Sequence, residues 1–152
     1  MGLRNDYLQD LCDICLKSFE SVLPCDYFYN FPVKSKQKFI VNLSPSNVKS
    51  GHFVIICFDD NDVLYFDPYG LKCSNEFILK KIISLGTCEI IYSTKRIQQI
   101  SSMYCGLICL ACLIYIENKS IEEFLNLFDE NLHKNENICL NIIKDQLRDE
   151  IK

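Results

Sequence analysis

The chain has 152 residues, of which 49% are hydrophobic and 24% are charged, so it is predicted to form one globular domain and not a disordered or fibrous chain. Its formal net charge of -4 offers no basic surface for a polyanion, and nucleic-acid binding is therefore not expected. A membrane span requires roughly twenty apolar residues. The longest apolar run, Leu107 to Ile116, is about half that length. No membrane association is predicted.

Ten cysteines in so short a chain could indicate a disulfide scaffold. The first residues, however, predict an amphipathic helix and not a secretory leader, so reduced thiols in an intracellular compartment are expected. Cys12-x-x-Cys15 and Cys109-x-x-Cys112 have the spacing of zinc ligands. Because each pair lies in a helical period, where a three-residue step repeats one core face, no metal site is predicted.

The first half of the chain predicts one helix followed by strands. Apolar residues at three- and four-residue steps indicate a helix from Asp6 to just before Pro24, and residues 24–38 are predicted to be an ordered loop. Strands are predicted at 38–43 and 52–58. The polar cluster from Asp59 to Asp62 predicts a turn, with residues 63–67 as the return strand of a hairpin.

The second half is predicted to be mainly helical. Ser74 can cap a helix that ends at Gly86, and residues 87–93 suggest another strand. Further helices are expected from Cys105, from the capping box at Ser120 to about residue 132, and over residues 136–151. This order predicts an α+β fold, a small and mostly antiparallel sheet packed by helices, in a single domain spanning residues 1–152.

The predicted hairpin brings a histidine close to a carboxylate. If its turn is centred between Asp60 and Asn61, Asp67 lies opposite Val54, and His52 occupies the diagonal position on the same face. Diagonal neighbours are roughly 7–8 Å apart at the backbone, within reach of an imidazole and a carboxylate. A shift of one residue at the turn would move the carboxylate to the other face.

Cys105 begins an apolar helix, where unpaired amides and the helix dipole favour a thiolate. In thiol proteases a thiolate attacks a carbonyl carbon, an imidazole carries the proton, and a carboxylate fixes the tautomer of the imidazole. Cys105, His52 and Asp67 fit these roles. Gln98 or Gln99, with the backbone amide of Cys105, could donate to the oxyanion. Taken singly, each residue is also explained as a core thiol, a structural histidine, a turn former or a surface glutamine.

Together these segments resemble the adenovirus-type cysteine endopeptidases, including those of polinton and adintovirus-like elements, and more distantly the SUMO-deconjugating proteases. The resemblance runs from about Val22 to Ile114. It implies a papain-like, adenain-like fold with the nucleophile at a helix N-terminus. Three blocks carry it. The first is Phe39-Ile-Val-Asn-Leu-Ser-Pro-Ser followed by Gly51-His52-Phe53, and the second is Tyr65-Phe66-Asp67-Pro68-Tyr69-Gly70. The third is Ile97-Gln98, then Ser102 and Cys105-Gly106-Leu107-Ile108-Cys109.

The resemblance implies a role for each site residue: His52 is the base, Asp67 the orienting carboxylate and Cys105 the nucleophile. Gln98, seven residues before Cys105, fits the spacing of the viral enzymes, whereas Gln99, at six residues, fits the deconjugating proteases. We take Gln98 as the expected oxyanion donor. No metal or cofactor is implied. Gly106 is expected to let a substrate backbone pass close to the nucleophile.

The resemblance also implies a function. Family members cleave viral precursor proteins near glycine-containing bonds during particle maturation, so capsid or core precursors are the implied substrates. The infected cell, including its nucleus, and the virion are the implied locations. Some adenovirus enzymes are stimulated by DNA and by a viral peptide joined through a disulfide. Cys88 falls near the corresponding thiol, whereas the acidic charge argues against DNA stimulation.

Two alternative functions remain open from the sequence. One is a protease that removes SUMO-like or ubiquitin-like modifiers, which would also favour a glycine-containing cleavage site. The other is a noncatalytic binding protein that keeps the same fold. The complete set of His52, Asp67, Gln98 and Cys105 favours an enzyme over a binding protein.

Overall fold

The computed structural model describes residues 4–34, 36–48, 51–86, 89–99 and 103–151. Helices and strands are mixed up to residue 93, and the elements described after it are helices. The elements within these residues are α1 (Asn5–Cys15), β1 (Ser21–Pro24), α2 (Cys25–Asn30), β2 (Lys38–Asn42), β3 (Phe53–Phe58), β4 (Asp62–Phe66), α3 (Glu76–Ser84), β5 (Glu89–Ser93), α4 (Cys105–Ile116), α5 (Ile121–Leu125) and α6 (Leu132–Ile151).

The five strands form one sheet in the order β1-β2-β3-β4-β5. The α+β class is thus confirmed, but the sheet is mixed and not mostly antiparallel. The two central pairings, β2 with β3 and β3 with β4, are antiparallel, whereas the outer pairs are parallel. The reason is connectivity, because α2 and α3 are crossovers that return the chain in the same direction.

The sheet lies between two helical layers. Ile40, Phe53 and Ile55 pack in one apolar cluster with residues of α1, α4, α5 and α6. The alternate residues Val41 and Val54 pack in a second cluster with residues of α2 and α3. Because both faces are covered, the central strands are apolar almost without interruption and do not alternate with polar residues.

The N-terminal prediction was partly wrong. The first helix ends at Cys15 and not just before Pro24, and residues 21–24 form β1, which pairs with β2. Val22 is buried from this strand, so its spacing relative to the helical residues misled the prediction. The expected loop also contains α2, which begins directly after Pro24, a residue suited to a helix start.

Smaller differences concern helix ends in the second half. Asn75, one residue after the expected Ser74, caps α3 by accepting a hydrogen bond from the Ile78 amide at 3.2 Å. The helix opened by Ser120 ends at Leu125, earlier than expected, and α6 begins at Leu132, four residues before the expected start. The capping prediction at Ser120 is confirmed, since its side chain accepts from the Glu123 amide.

One end of the sheet collects the chemically interesting segments. Because β3 is antiparallel to both of its neighbours, its first residue lies beside the last residues of β2 and β4. Strand β5 runs parallel to β4 and also finishes there. The topology therefore brings the segments that contain His52, Asp67 and Gln98 to the same end of the sheet.

Gly70 and Gly86 both have positive φ, but only Gly70, which follows the Asp67 segment, is closely surrounded by other atoms. Gly70 has φ 74°, and a Cβ there would lie 2.7 Å from the Thr94 carbonyl oxygen, whereas Gly86 has φ 100° and open space around it. Gly86→Ala should lower the free energy of unfolding by about 1–2 kcal/mol through backbone strain. Gly70→Ala should lower it by a further 1–3 kcal/mol or so through the clash. Equal losses in urea unfolding would contradict this account.

Candidate active site

His52 and Asp67 meet at the open end of the β3–β4 hairpin. The predicted register is confirmed, because Ile55 pairs with Phe66 and Asp67 consequently follows opposite Val54. His52 Nε2 lies 2.7 Å from Asp67 Oδ1. The same Oδ1 accepts a hydrogen bond from the Tyr69 amide at 2.8 Å. The carboxylate therefore holds Nε2 and leaves Nδ1 as the ring nitrogen for another partner.

That partner is Cys105, the first residue of α4. Its thiol donates to the Gly51 carbonyl, with Sγ 3.8 Å from the oxygen, and it also hydrogen bonds with the His52 side chain. Cys105 is 5% exposed, so the sulfur lies just beneath the surface. The structure therefore brings together the cysteine, histidine and aspartate singled out in the sequence.

The surroundings of His52 favour its protonated form. Burial of the ring lowers its pKa, but the hydrogen bonds and negative charges of Asp67 and Cys105 outweigh this effect and raise the pKa from 6.5 to about 9. Because the pKa in the folded state is the higher one, protonation stabilises the fold. This contribution is fully present below about pH 6.5 and is lost as the pH rises through about 9.

Asn42, which the sequence analysis did not single out, supports the histidine loop. It is fully buried at the end of β2, and its Oδ1 accepts from the Ser44 amide at 2.9 Å. A Cβ on Gly51 would lie 2.5 Å from this Oδ1. The Leu43 amide donates to the His52 carbonyl at 2.8 Å, which extends the sheet to the histidine. In the sequence, the polar character of Asn42 at the end of an apolar strand was the feature that could have indicated this role.

Tyr69 covers one face of the His52 imidazole. The rings of Tyr69 and His52 are stacked, with centroids 4.6 Å apart and planes 15° from parallel. Burial, followed by the negative charges of Cys105 and Asp67, raises the pKa of Tyr69. Its ring is thus part of the site, although the sequence analysis quoted it only as a member of the acidic block.

The two candidate glutamines have different surroundings. Gln98 is 1% exposed, and its backbone amide donates to the Pro68 carbonyl at 3.0 Å, next to Asp67. Gln99 donates its side-chain amide to Glu136 Oε1 at 2.9 Å. The Gln99 side chain is therefore held by α6, whereas the Gln98 backbone is held next to Asp67. No sequence pattern predicted the contact between Gln99 and Glu136.

Gly106 has a packing role that the sequence analysis did not anticipate. The residue is buried, and a Cβ there would lie 3.0 Å from Leu8 Cδ2 and 3.2 Å from Phe53 Cδ2. Its small size lets α4 pack closely against α1 and the sheet. The passage of a substrate backbone beside Gly106 stays a prediction.

The remaining thiols belong to the core. All nine cysteines within the described ranges are free, while Cys88, the expected thiol for an activating peptide, lies outside those ranges. Cys12, Cys15, Cys109 and Cys112 pack in one apolar cluster, where burial raises the pKa of each. Across the described part of the chain, no group of three or more histidine, cysteine or acidic side chains could hold a metal ion.

The search for a membrane-spanning helix covered the same part of the chain and found none that is long and apolar enough. The most apolar helix, α4, extends over residues 105–116 and is packed inside the protein.

No protein-family model matches the chain, and no curated protein matches its sequence. Among solved structures, the central domain of the uncharacterized Lpg1148 protein from Legionella pneumophila is similar over 99% of this chain and 98% of that one, with 15% identity and a TM-score of 0.56. AvrA delL154 with IP6 and CoA is similar over 94% of this chain and 53% of that one, with 19% identity and a TM-score of 0.46. The first likeness shows a shared overall fold. The second is too distant to support an argument.

Proposed function

We propose that the chain is a cysteine endopeptidase with Cys105 as its nucleophile. The observation that carries this proposal is the position of His52, between the buried carboxylate of Asp67 and the thiol of Cys105. A thiol becomes an effective nucleophile when an adjacent base takes its proton, and a carboxylate that fixes the imidazole completes the set. An adenain-like version of the α+β fold is part of the same proposal.

The proposed reaction assigns a step to each of these side chains. Nδ1 of His52 takes the thiol proton, and the sulfur attacks the carbonyl carbon of the peptide bond. The negative oxygen that forms accepts hydrogen bonds from the Gln98 side chain and the Cys105 amide. His52 then gives its proton to the departing amine, and water releases the acyl group from the sulfur.

The proposed substrates are viral capsid or core precursors cut near glycine, which would place the protein in infected cells and virions. This part rests on the resemblance of three sequence blocks around His52, Asp67 and Cys105 to adenovirus-type endopeptidases. Activation by a peptide through Cys88 follows from the same resemblance. Stimulation by DNA is not proposed, since the net charge is -4.

Replacing the nucleophile tests the function directly. Cys105→Ser should lower cleavage of an internally quenched peptide containing a Gly-Gly bond by more than about a thousandfold, because a hydroxyl is the weaker nucleophile. The unfolding midpoint should stay close to that of the wild type. The matched control is Cys73→Ser, which alters another partly buried thiol. Equal activity of the two variants, on this peptide and on a modifier conjugate tested in parallel, would refute the proposal.

The pH profile tests the imidazole and its carboxylate. Wild-type kcat/KM should fall as the pH rises through about 9, since His52 then loses its proton. Asp67→Asn removes the negative charge and should move this alkaline limb to lower pH, with turnover reduced roughly 100- to 10,000-fold. Asp62→Asn, at the other end of β4, is the control and should leave the limb in place. The rate of Cys105 alkylation by iodoacetamide provides an independent profile. An unmoved limb in Asp67→Asn would count against the assigned role.

A third comparison identifies the oxyanion donor. Gln98→Ala should lower kcat roughly 100- to 1,000-fold, the typical effect of removing one such donor. Gln99→Ala should cost far less, because its amide is bonded to Glu136. Steady-state kinetics on the same quenched peptide would measure both losses. A larger loss in Gln99→Ala would reverse the assignment.

A further inference from the structure

A carboxylate on α6 reaches the segment that carries the proposed oxyanion donor. Glu136 is 4% exposed. Its Oε1 accepts from Gln99 Nε2 at 2.9 Å, and its Oε2 accepts from the Gln99 backbone amide at 3.3 Å. Hydrogen bonds to an ionised acceptor are stronger than neutral ones, and two to one residue fix both its backbone and its side chain. Glu136 therefore holds Gln99 in a single arrangement.

The part of α6 that carries Glu136 is itself held firmly. The preceding residue, Asn135, is fully buried, donates to the Asp129 carbonyl at 2.8 Å and accepts from the Asp129 amide at 3.2 Å. One and two helical turns further on, Cys139 and Ile143 are buried in the apolar cluster that also contains α4. The carboxylate is thus presented from a helix fixed on both sides.

Gln98 lies between two fixed points. On one side its own amide donates to the Pro68 carbonyl at 3.0 Å, and on the other side the next residue, Gln99, is bonded to Glu136. Glu136 also lies close enough to the reacting groups for its charge to act on Tyr69, the ring stacked on the imidazole. The first turns of α6 therefore belong to the surroundings of the site.

We propose that Glu136 is a positioning residue that selects Gln98 as the oxyanion donor by binding Gln99. This inference rests on the proposed peptidase function. Glu136 touches neither the substrate nor the reacting atoms, and it acts by fixing the segment in which the donor lies. A displacement of about 1 Å in a catalytic group can lower a rate a hundredfold, so a contact of this kind can matter as much as a direct one.

The test is a double-mutant cycle on the quenched Gly-Gly peptide, with enzyme concentration fixed by titrating Cys105 with a thiol-reactive peptide probe. Glu136→Ala should lower kcat about 10- to 100-fold with little change in KM. In a Gln98→Ala background the same change should have almost no effect, because the donor it positions is already gone. Glu136→Gln keeps one of the two acceptor oxygens that bind Gln99, so it should restore part of kcat. Equal losses in both backgrounds, or an unchanged kcat in Glu136→Ala, would overturn the inference.

A measurement without substrate separates this inference from the proposed function. The side-chain amide signals of Gln98, assigned in an NMR spectrum by their absence in Gln98→Ala, should shift in Glu136→Ala and shift less in Glu136→Gln. Unshifted Gln98 signals in Glu136→Ala would overturn the positioning role. The Gln98 signals could shift in Glu136→Ala while the wild-type enzyme cleaves neither peptides nor conjugates. That result would refute the peptidase proposal but support the positioning of Gln98 by Glu136.

Discussion

The hydrogen bond between His52 and Asp67 is the interaction on which the whole site depends. A carboxylate that is 3% exposed must be paired, and Asp67 meets this need with the imidazole and the Tyr69 amide. Because the carboxylate takes Nε2, the ring has one remaining nitrogen, which faces the thiol. The buried charge thus sets both the tautomer of the imidazole and the side from which the sulfur is approached.

The sheet makes this arrangement rigid because both of its faces are covered. Its central strands cannot slip in register without moving apolar side chains from one helical layer into the other. His52 directly precedes one of these strands and Asp67 directly follows another, so little free chain separates the two side chains from the core. The third group, Cys105, starts a helix that is buried over most of its length. Precision at the site therefore comes from ordinary core packing.

Contacts between residues that are close in the sequence could be predicted, whereas contacts between distant residues could not. The pairing of His52 with Asp67 depends on a short hairpin, whose turn residues determine the register, and it was predicted correctly. Strand β1 was missed because its pairing with β2 crosses α2 and leaves no local pattern. The environment of Gln99 was equally inaccessible, since Glu136 lies 37 residues further along the chain. Spacing to Cys105 could rank the two glutamines, but it could not show that the Gln99 side chain is bonded to α6.

The thiols of α4 show that position decides chemistry in this protein more than residue type does. Cys105, Cys109 and Cys112 occupy the same helix, and only the first stands at its N-terminus beside an imidazole. Burial raises the pKa of Cys109 and Cys112 well above the ordinary value, which keeps them as uncharged core groups. One turn of helix thus separates a thiol that can transfer its proton to a base from thiols that serve as apolar packing. The close packing of Gly106 against Leu8 and Phe53 locates the first turn of α4, and with it the sulfur of Cys105 beside the imidazole.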